Sequence, residues 1–236
     1  MRTVLLVAEN FVREQRWPIL VLLLWVLVMA VLGLTVDTRS AREDMLLIFK
    51  QLAIYGMAFA VFFGSSAIHN ERKSRRILAV LAKAVGRRQY VSGLLAGIVI
   101  AVSLYCFCMG LTGSWVLGQG GFPVSLLWFM MFSLMIACLL AAAVAVLFST
   151  FMPPLFATLT SGAVLGLPAI FMVEFGGKWG YIVPVYPLID LFLKASFETR
   201  WHVDWGVLTL AVGETLLFWL MASWIFARRD IAVAVD

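Results

Sequence analysis

Six long apolar runs, separated by short polar breaks, set the fold class of this chain. They cover residues 18–36, 45–68, 90–117, 124–148, 155–173 and 207–227. About 20 apolar residues in a helix cross the hydrocarbon core of a bilayer, and only helices and closed barrels satisfy their backbone hydrogen bonds there. With 63% hydrophobic and 13% charged residues, a soluble fold of this size would leave much apolar surface exposed. The sequence therefore predicts an all-α membrane protein, with residues 1–236 forming a single six-span domain.

The first run is expected to remain as a transmembrane helix rather than to be removed as a signal peptide. It is longer than a cleavable apolar core, and no good small-x-small site follows it. Proline marks the helix boundaries: Pro18 suits the first position of a helix, and Pro153 with Pro154 separates the fourth run from the fifth.

Lysine and arginine are concentrated at one end of the predicted bundle. Twelve of the 18 cations precede the first run, follow the last run, or lie in the connector between the second and third. Six spans bring these segments to one side, and cytoplasmic flanks carry an excess of Lys and Arg. We expect a multi-pass protein of the plasma or inner membrane with both termini in the cytoplasm. Because the cations flank apolar spans, the net charge of +5 does not indicate nucleic-acid binding.

Two further segments are predicted to be neither spans nor simple loops. In residues 1–17, Val4, Ala8 and Phe11 recur at helical spacing, which predicts an interfacial helix, although a loosely ordered tail fits the same residues. Residues 174–205 are too apolar for a solvated loop and too interrupted for a span. We expect short re-entrant helices there, in the outer leaflet, with Trp and Tyr near the headgroups.

The connector at residues 69–89 is the most basic stretch of the chain and also carries an apolar stripe. Ile77, Leu78, Leu81 and Ala84 share one face if the segment is helical, while cations crowd its first half. Two interpretations fit these residues equally well. In one, the cations set topology and hold anionic lipid, at roughly 1 kcal/mol each near the surface. In the other, the stripe inserts into a groove on a soluble protein partner.

Glu214 is the one acidic residue well inside a predicted span. An intramembrane carboxylate is costly and is a candidate functional residue by default. Both a structural or gating role and contact with a substrate are open, and Lys178 or Lys194 is an expected partner. Ser65 and His69 share a helix face, but a serine hydrolase also needs an oxyanion hole.

No metal site is predicted. The three cysteines lie inside apolar runs without Cys-x-x-Cys spacing, and His202 has no evident set of further ligands. The three cysteines are Cys106, Cys108 and Cys138.

Three segments together form a family pattern. The longest is HNERKSRRILAVLAKAVGRRQYVSGLLAG, at residues 69–97. It joins an acid–base pair, a short leucine-rich helix, a basic pair, an aromatic and a small-residue patch: Glu71-Arg72, Ile77 to Leu81, Arg87-Arg88, Tyr90, and Gly93 with Gly97. The others are AVLFSTFMPPLFA, with Ser149 and Ala157, and WIFARRDI, with Arg228, Arg229 and Asp230. This combination resembles the permease subunits of ATP-binding cassette (ABC) transporters, in the exporter class called type-2. The chain departs from the family at Lys73-Ser74 and Ala84-Val85, where Gly-Thr and a proline are common.

The resemblance implies partners and a mechanism. Two permease subunits, identical or different, would form a dimer, each docked to an ABC nucleotide-binding subunit that binds ATP and Mg²⁺. The helix after the second span would be the coupling helix, and ATP binding would drive the permease between inward and outward openings. This chain has no G-x-x-x-x-G-K-[ST] motif. It is therefore expected to be no enzyme by itself and to hold no cofactor of its own.

The resemblance also implies roles for particular residues. Those expected at the ATPase-subunit interface are Arg75, Arg76, Leu78 and Leu81. Glu71 is expected to be a coupling hinge that pairs with Arg13 or Arg16, although an ordinary solvated acid fits the same position. Two other function classes stay open: a gradient-driven secondary carrier or channel that uses Glu214, and a membrane-bound assembly factor without transport.

Overall fold

The computed structural model describes residues 2–35, 42–73, 86–119, 121–175, 178–198 and 200–228. Across these ranges the chain contains eight α-helices, a single 3₁₀ turn at Trp179–Tyr181 and no strand. The helices are α1 (Arg2–Glu14), α2 (Arg16–Thr35), α3 (Arg42–Lys73), α4 (Arg87–Gln119), α5 (Val124–Ser149), α6 (Pro154–Phe175), α7 (Val185–Glu198) and α8 (Trp205–Arg228). All except α1 and α7 are long and apolar enough to cross a membrane. The predicted all-α, six-span architecture is confirmed.

Helix α5 forms the centre of the bundle, and 18 of its 26 residues are buried. Its second half is rich in alanine, which lets α3 approach closely. A Cβ added at Gly64 of α3 would lie 2.6 Å from the Ala142 carbonyl oxygen and 2.7 Å from the Ala145 Cβ. In lipid, helices associate through close packing of small residues, because the surrounding tails are as apolar as leucine. The Gly64 contact therefore holds α3 against α5.

Helix α1 packs across α4 with one face and leaves the other open. Ala8 and Phe11 are buried, whereas Leu5 and Leu6 each remain 63% exposed. The predicted N-terminal helix is thus present, with its apolar residues divided between a protein contact and a surface suited to lipid.

The segment between α6 and α8 re-enters the bundle. Val183 and Leu188 share a buried cluster with Ile136 and Leu140, which lie near the middle of α5. Farther along, the Trp201 ring lies 5.2 Å from the Phe129 ring, near the first turns of α5. Helix α7 therefore packs into the bundle along its length, since Leu188 near its start and Ala195 near its end are both buried, as expected for a segment too apolar for a solvated loop.

Candidate functional site at the basic end of the bundle

The predicted coupling connector is bordered by the end of α3 and the start of α4. Helix α3 continues to Lys73 and α4 begins at Arg87. Glu71 lies in the last turn of α3, but its side chain is outside the described part of the structure. Residues 74–85 also lie outside it, and they include the four predicted interface residues Arg75, Arg76, Leu78 and Leu81. Their roles stay predictions, whereas the helices that anchor the connector can be described.

Helix α1 contacts both helices that border the connector. The Phe11 ring meets the Phe63 ring of α3 edge-to-face, with centroids 6.4 Å apart. The same Phe11 side chain covers Gly97 of α4, where an added Cβ would lie 2.7 Å from Cδ1. Gly93 has the same role one turn earlier, because its added Cβ would lie 2.5 Å from the Val7 Cβ. The small-residue patch at the start of the third span is therefore the surface on which α1 packs.

The first turn of α4 is fixed to the last turn of α8. Arg87 Nη1 donates a hydrogen bond to the Ala227 carbonyl oxygen at 3.1 Å, which satisfies one of the free carbonyls at a helix C-terminus. Tyr90 is buried and stacks on Phe226, with ring centroids 5.9 Å apart and an interplanar angle of 21°. The connector therefore enters α4 at a point held from two sides, by α1 and by α8.

The basic side chains at this end differ in their surroundings. Arg13 and Arg16, the predicted partners of Glu71, lie exposed around the junction of α1 and α2. Arg88 is also exposed. Arg228 lies over the Trp224 ring, with its Cζ 3.9 Å from the ring centroid, a cation–π arrangement.

Ser65 connects α3 to α6 near the same end. Its hydroxyl accepts a hydrogen bond from Thr158 Oγ1 at 2.7 Å and donates to the Phe62 carbonyl oxygen at 3.1 Å. Hydroxyl pairs of this kind link helices inside membranes. The Ser65 hydroxyl therefore has a packing role in this structure.

Glu214 lies in α8, one turn after the buried Ala211 that packs toward α5. Its Oε2 atom is buried and has no hydrogen-bond partner among the described residues. The expected partner Lys194 pairs instead with Asp190, its Nζ lying 2.7 Å from Oδ2. The hydrogen bond that Lys194 Nζ donates to Asp190 raises the pKa of Lys194. Glu214 is thus a half-buried carboxyl inside a span, without the predicted Lys194 pairing.

The opposite end of the bundle holds a small polar cleft of about 370 Å³ between α7 and the start of α8. Glu198 Oε2 lies 3.2 Å from His202 Nε2. Asp204 Oδ1 accepts hydrogen bonds from the Gly206 and Val207 amides at 3.0 and 3.2 Å, which makes it the N-cap of α8. In the part of the chain that the structure describes, no group of three His, Cys, Asp or Glu side chains is placed to hold a metal ion.

No protein-family model matches this chain, and no curated protein matches it at a significant level. Its function must therefore be inferred from its own residues and contacts.

Sequence reasoning missed the anchoring of the connector. It identified Gly93, Gly97, Arg87 and Tyr90 as parts of a pattern, but not their contacts with α1 and α8. The only signal was the amphipathic spacing of residues 1–17, which shows that an apolar face exists without showing what it covers.

Proposed function

We propose that this chain is the transmembrane permease subunit of an ATP-driven ABC exporter of the type-2 class. It would work in the plasma or inner membrane with both termini in the cytoplasm, paired with a second permease subunit. A separate nucleotide-binding subunit would bind ATP and Mg²⁺ and supply the energy for export. The observation that supports this most is the anchoring of both helices that border the connector, which lets force on the connector reach the whole bundle.

A route for that force can be described contact by contact. A push on the connector acts on the ends of α3 and α4. Phe11 of α1 joins these helices, and Gly64 holds α3 in direct contact with α5. Closely packed helices move as rigid bodies rather than by gradual deformation. Displacement of the connector would therefore tilt α1, α3, α4 and α5 together and change the opening of the bundle.

The four predicted interface residues supply what a docking helix needs. Leu78 and Leu81 provide apolar anchors for a groove on the ATPase subunit. Arg75 and Arg76 provide charges that orient the approach of an acidic partner surface. Glu71 would serve as the hinge at the end of α3, paired with Arg13 or Arg16.

The test is co-purification from the native host. The tagged chain is extracted in mild detergent, and the proteins that accompany it are identified by mass spectrometry. We expect an ABC nucleotide-binding subunit, with ATPase activity in the purified complex. Leu78→Asp with Leu81→Asp should remove that subunit, while the six-span chain still reaches the membrane. Arg200→Glu, a charge reversal at the opposite end, is the matched control and should leave the complex intact. A wild-type complex without a nucleotide-binding subunit would contradict the proposal.

The second candidate is a gradient-driven carrier, favoured by the half-buried carboxyl of Glu214. Carriers move protons or cations through such intramembrane carboxyls. Glu214→Gln separates the two candidates, because it removes the ionisable group while keeping the shape of the side chain. A carrier loses transport driven by a proton or sodium gradient in this variant, whereas an ATP-driven exporter keeps its dependence on nucleotide.

A further inference from the structure

A lateral groove of about 670 Å³ opens at the basic end of the bundle, between the first turns of α1 and the last turns of α8. The exposed Arg88 of α4 marks its mouth, Ser92 lines it one turn farther along α4, and Val4 of α1 lines one wall. Met221 and Trp224 line the other wall. The lining is almost wholly apolar apart from the mouth, so the groove suits a hydrocarbon chain.

Cations at the mouth give the groove a preference for negative charge. Arg88 lines the groove and is exposed, and Arg228 lies just beside the groove, over the ring of the lining residue Trp224. None of the acidic side chains that the structure describes forms an ion pair with either arginine. An anion at the mouth would therefore meet two cations that no carboxylate of the described residues neutralises.

We propose that this groove binds one anionic phospholipid, with an acyl chain between α1 and α8 and its phosphate at Arg88 and Arg228. A soluble anion would leave the apolar walls unused. The exposed Leu5 and Leu6 on the free face of α1 need lipid around this helix, so the groove opens into a lipid-facing surface. The lipid would fill the space beside the helix that holds the connector. This site does not depend on the proposed transport function.

The test compares phosphatidylglycerol with phosphatidylcholine of the same acyl chains. The purified full-length chain is mixed with both lipids in mild detergent, and bound lipid is measured by native mass spectrometry. We expect one retained phosphatidylglycerol per chain. Arg88→Gln should weaken its binding about fivefold, the effect of one cation near a membrane surface. Ser92→Phe should also remove it, because the new ring fills the groove while the charge is unchanged.

Arg13→Gln is the matched control, since it removes one exposed cation from the same end but does not line the groove. It should leave phosphatidylglycerol binding unchanged. A loss equal to that of Arg88→Gln, or full binding to the Ser92→Phe chain, would show general attraction to basic charge and overturn the proposal.

A second measurement tests the site even if the Arg88→Gln or Ser92→Phe chain fails to fold. With Met221 replaced by the photo-crosslinker p-benzoylphenylalanine, we expect a covalent adduct with phosphatidylglycerol. A crosslink to residues 229–236 of the chain itself would instead identify a protein segment as the occupant and overturn the lipid assignment.

Discussion

Gly93 shows how a single residue positions an entire element. A Cβ added there would lie 2.5 Å from the Val7 Cβ and 3.1 Å from the Val4 main-chain oxygen. Neither atom is the flexible end of a side chain, so α1 as a whole would have to move. The glycine is therefore needed for the close approach of two helices rather than for an unusual backbone conformation.

We predict that Gly93→Ala destabilises the chain by about 1–3 kcal/mol, the usual cost of overpacking a well-filled contact. Thermal unfolding in detergent, followed by tryptophan fluorescence, measures the change. Gly213→Ala in α8 is the control, because an added Cβ there meets nothing within 4 Å. Equal unfolding temperatures for the two variants would show that α1 does not rest on Gly93.

Tyr105 provides a second prediction at this scale. Its ring is buried against Gly56, and its hydroxyl donates a short hydrogen bond to the Leu52 carbonyl oxygen across the α3–α4 contact. Tyr105→Phe keeps the ring and removes the bond. We expect a loss of about 0.6 kcal/mol and no more than about 1.7, the range for such bonds between membrane helices. Tyr55→Phe, at a 41% exposed site of α3, should leave the unfolding temperature unchanged.

At the scale of helices, the sequence predicts that a helix is present more reliably than it predicts where the helix begins and ends. The apolar runs located all six spans, because their length and hydropathy are read directly from the residues. Helix α3 nevertheless extends from Arg42 to Lys73, well beyond the predicted 45–68. Hydropathy reports the part of a helix that suits lipid, and polar turns can continue the helix outside it. The boundary of an apolar run is therefore not the boundary of its helix.

The docking of α1 on α4 was beyond sequence reasoning for a different reason. An amphipathic pattern shows that one face is apolar, but lipid and protein satisfy that face equally well. Whether this face packs on protein or on lipid depends on Gly93 and Gly97, which are far along the chain from Val7 and Phe11. The chemistry of the interface residues was predicted in the same way, from a pattern.

The junction of α3 with the connector carries the third prediction. If Glu71 is the hinge that links α3 to Arg13 or Arg16, Glu71→Ala should leave the complex with the ATPase subunit intact but reduce transport per ATP hydrolysed. Both rates are measured on the same reconstituted vesicles. Glu9→Ala, which removes an exposed acid from α1, should leave the ratio unchanged. An unchanged ratio for Glu71→Ala would remove the hinge interpretation.

In the whole molecule, charge is distributed unequally between the two ends of the bundle, and this distribution follows from the order of the helices. Six spans place the start of α2, the end of α8 and the helix ends that border the connector at one end of the bundle. Arg13, Arg88 and Arg228 of the described residues lie there, and the ion pair of Asp190 with Lys194 and the contact of Glu198 with His202 lie at the other. Because an excess of Lys and Arg marks the cytoplasmic side, this distribution predicts one orientation for the entire bundle.

Cysteine labelling in intact cells tests this orientation. Glu198→Cys and Glu9→Cys introduce thiols at exposed positions of opposite ends. A membrane-impermeant maleimide should label the cysteine at position 198 in intact cells, and the one at position 9 only after the membrane is permeabilised. The native Cys106 and Cys138 are buried, and the half-buried Cys108 lies inside an apolar span. A thiol shielded from water rarely forms the reactive thiolate, so background should be low. Labelling at position 9 in intact cells would place the connector outside, where no ATPase could reach it, and would exclude the exporter mechanism.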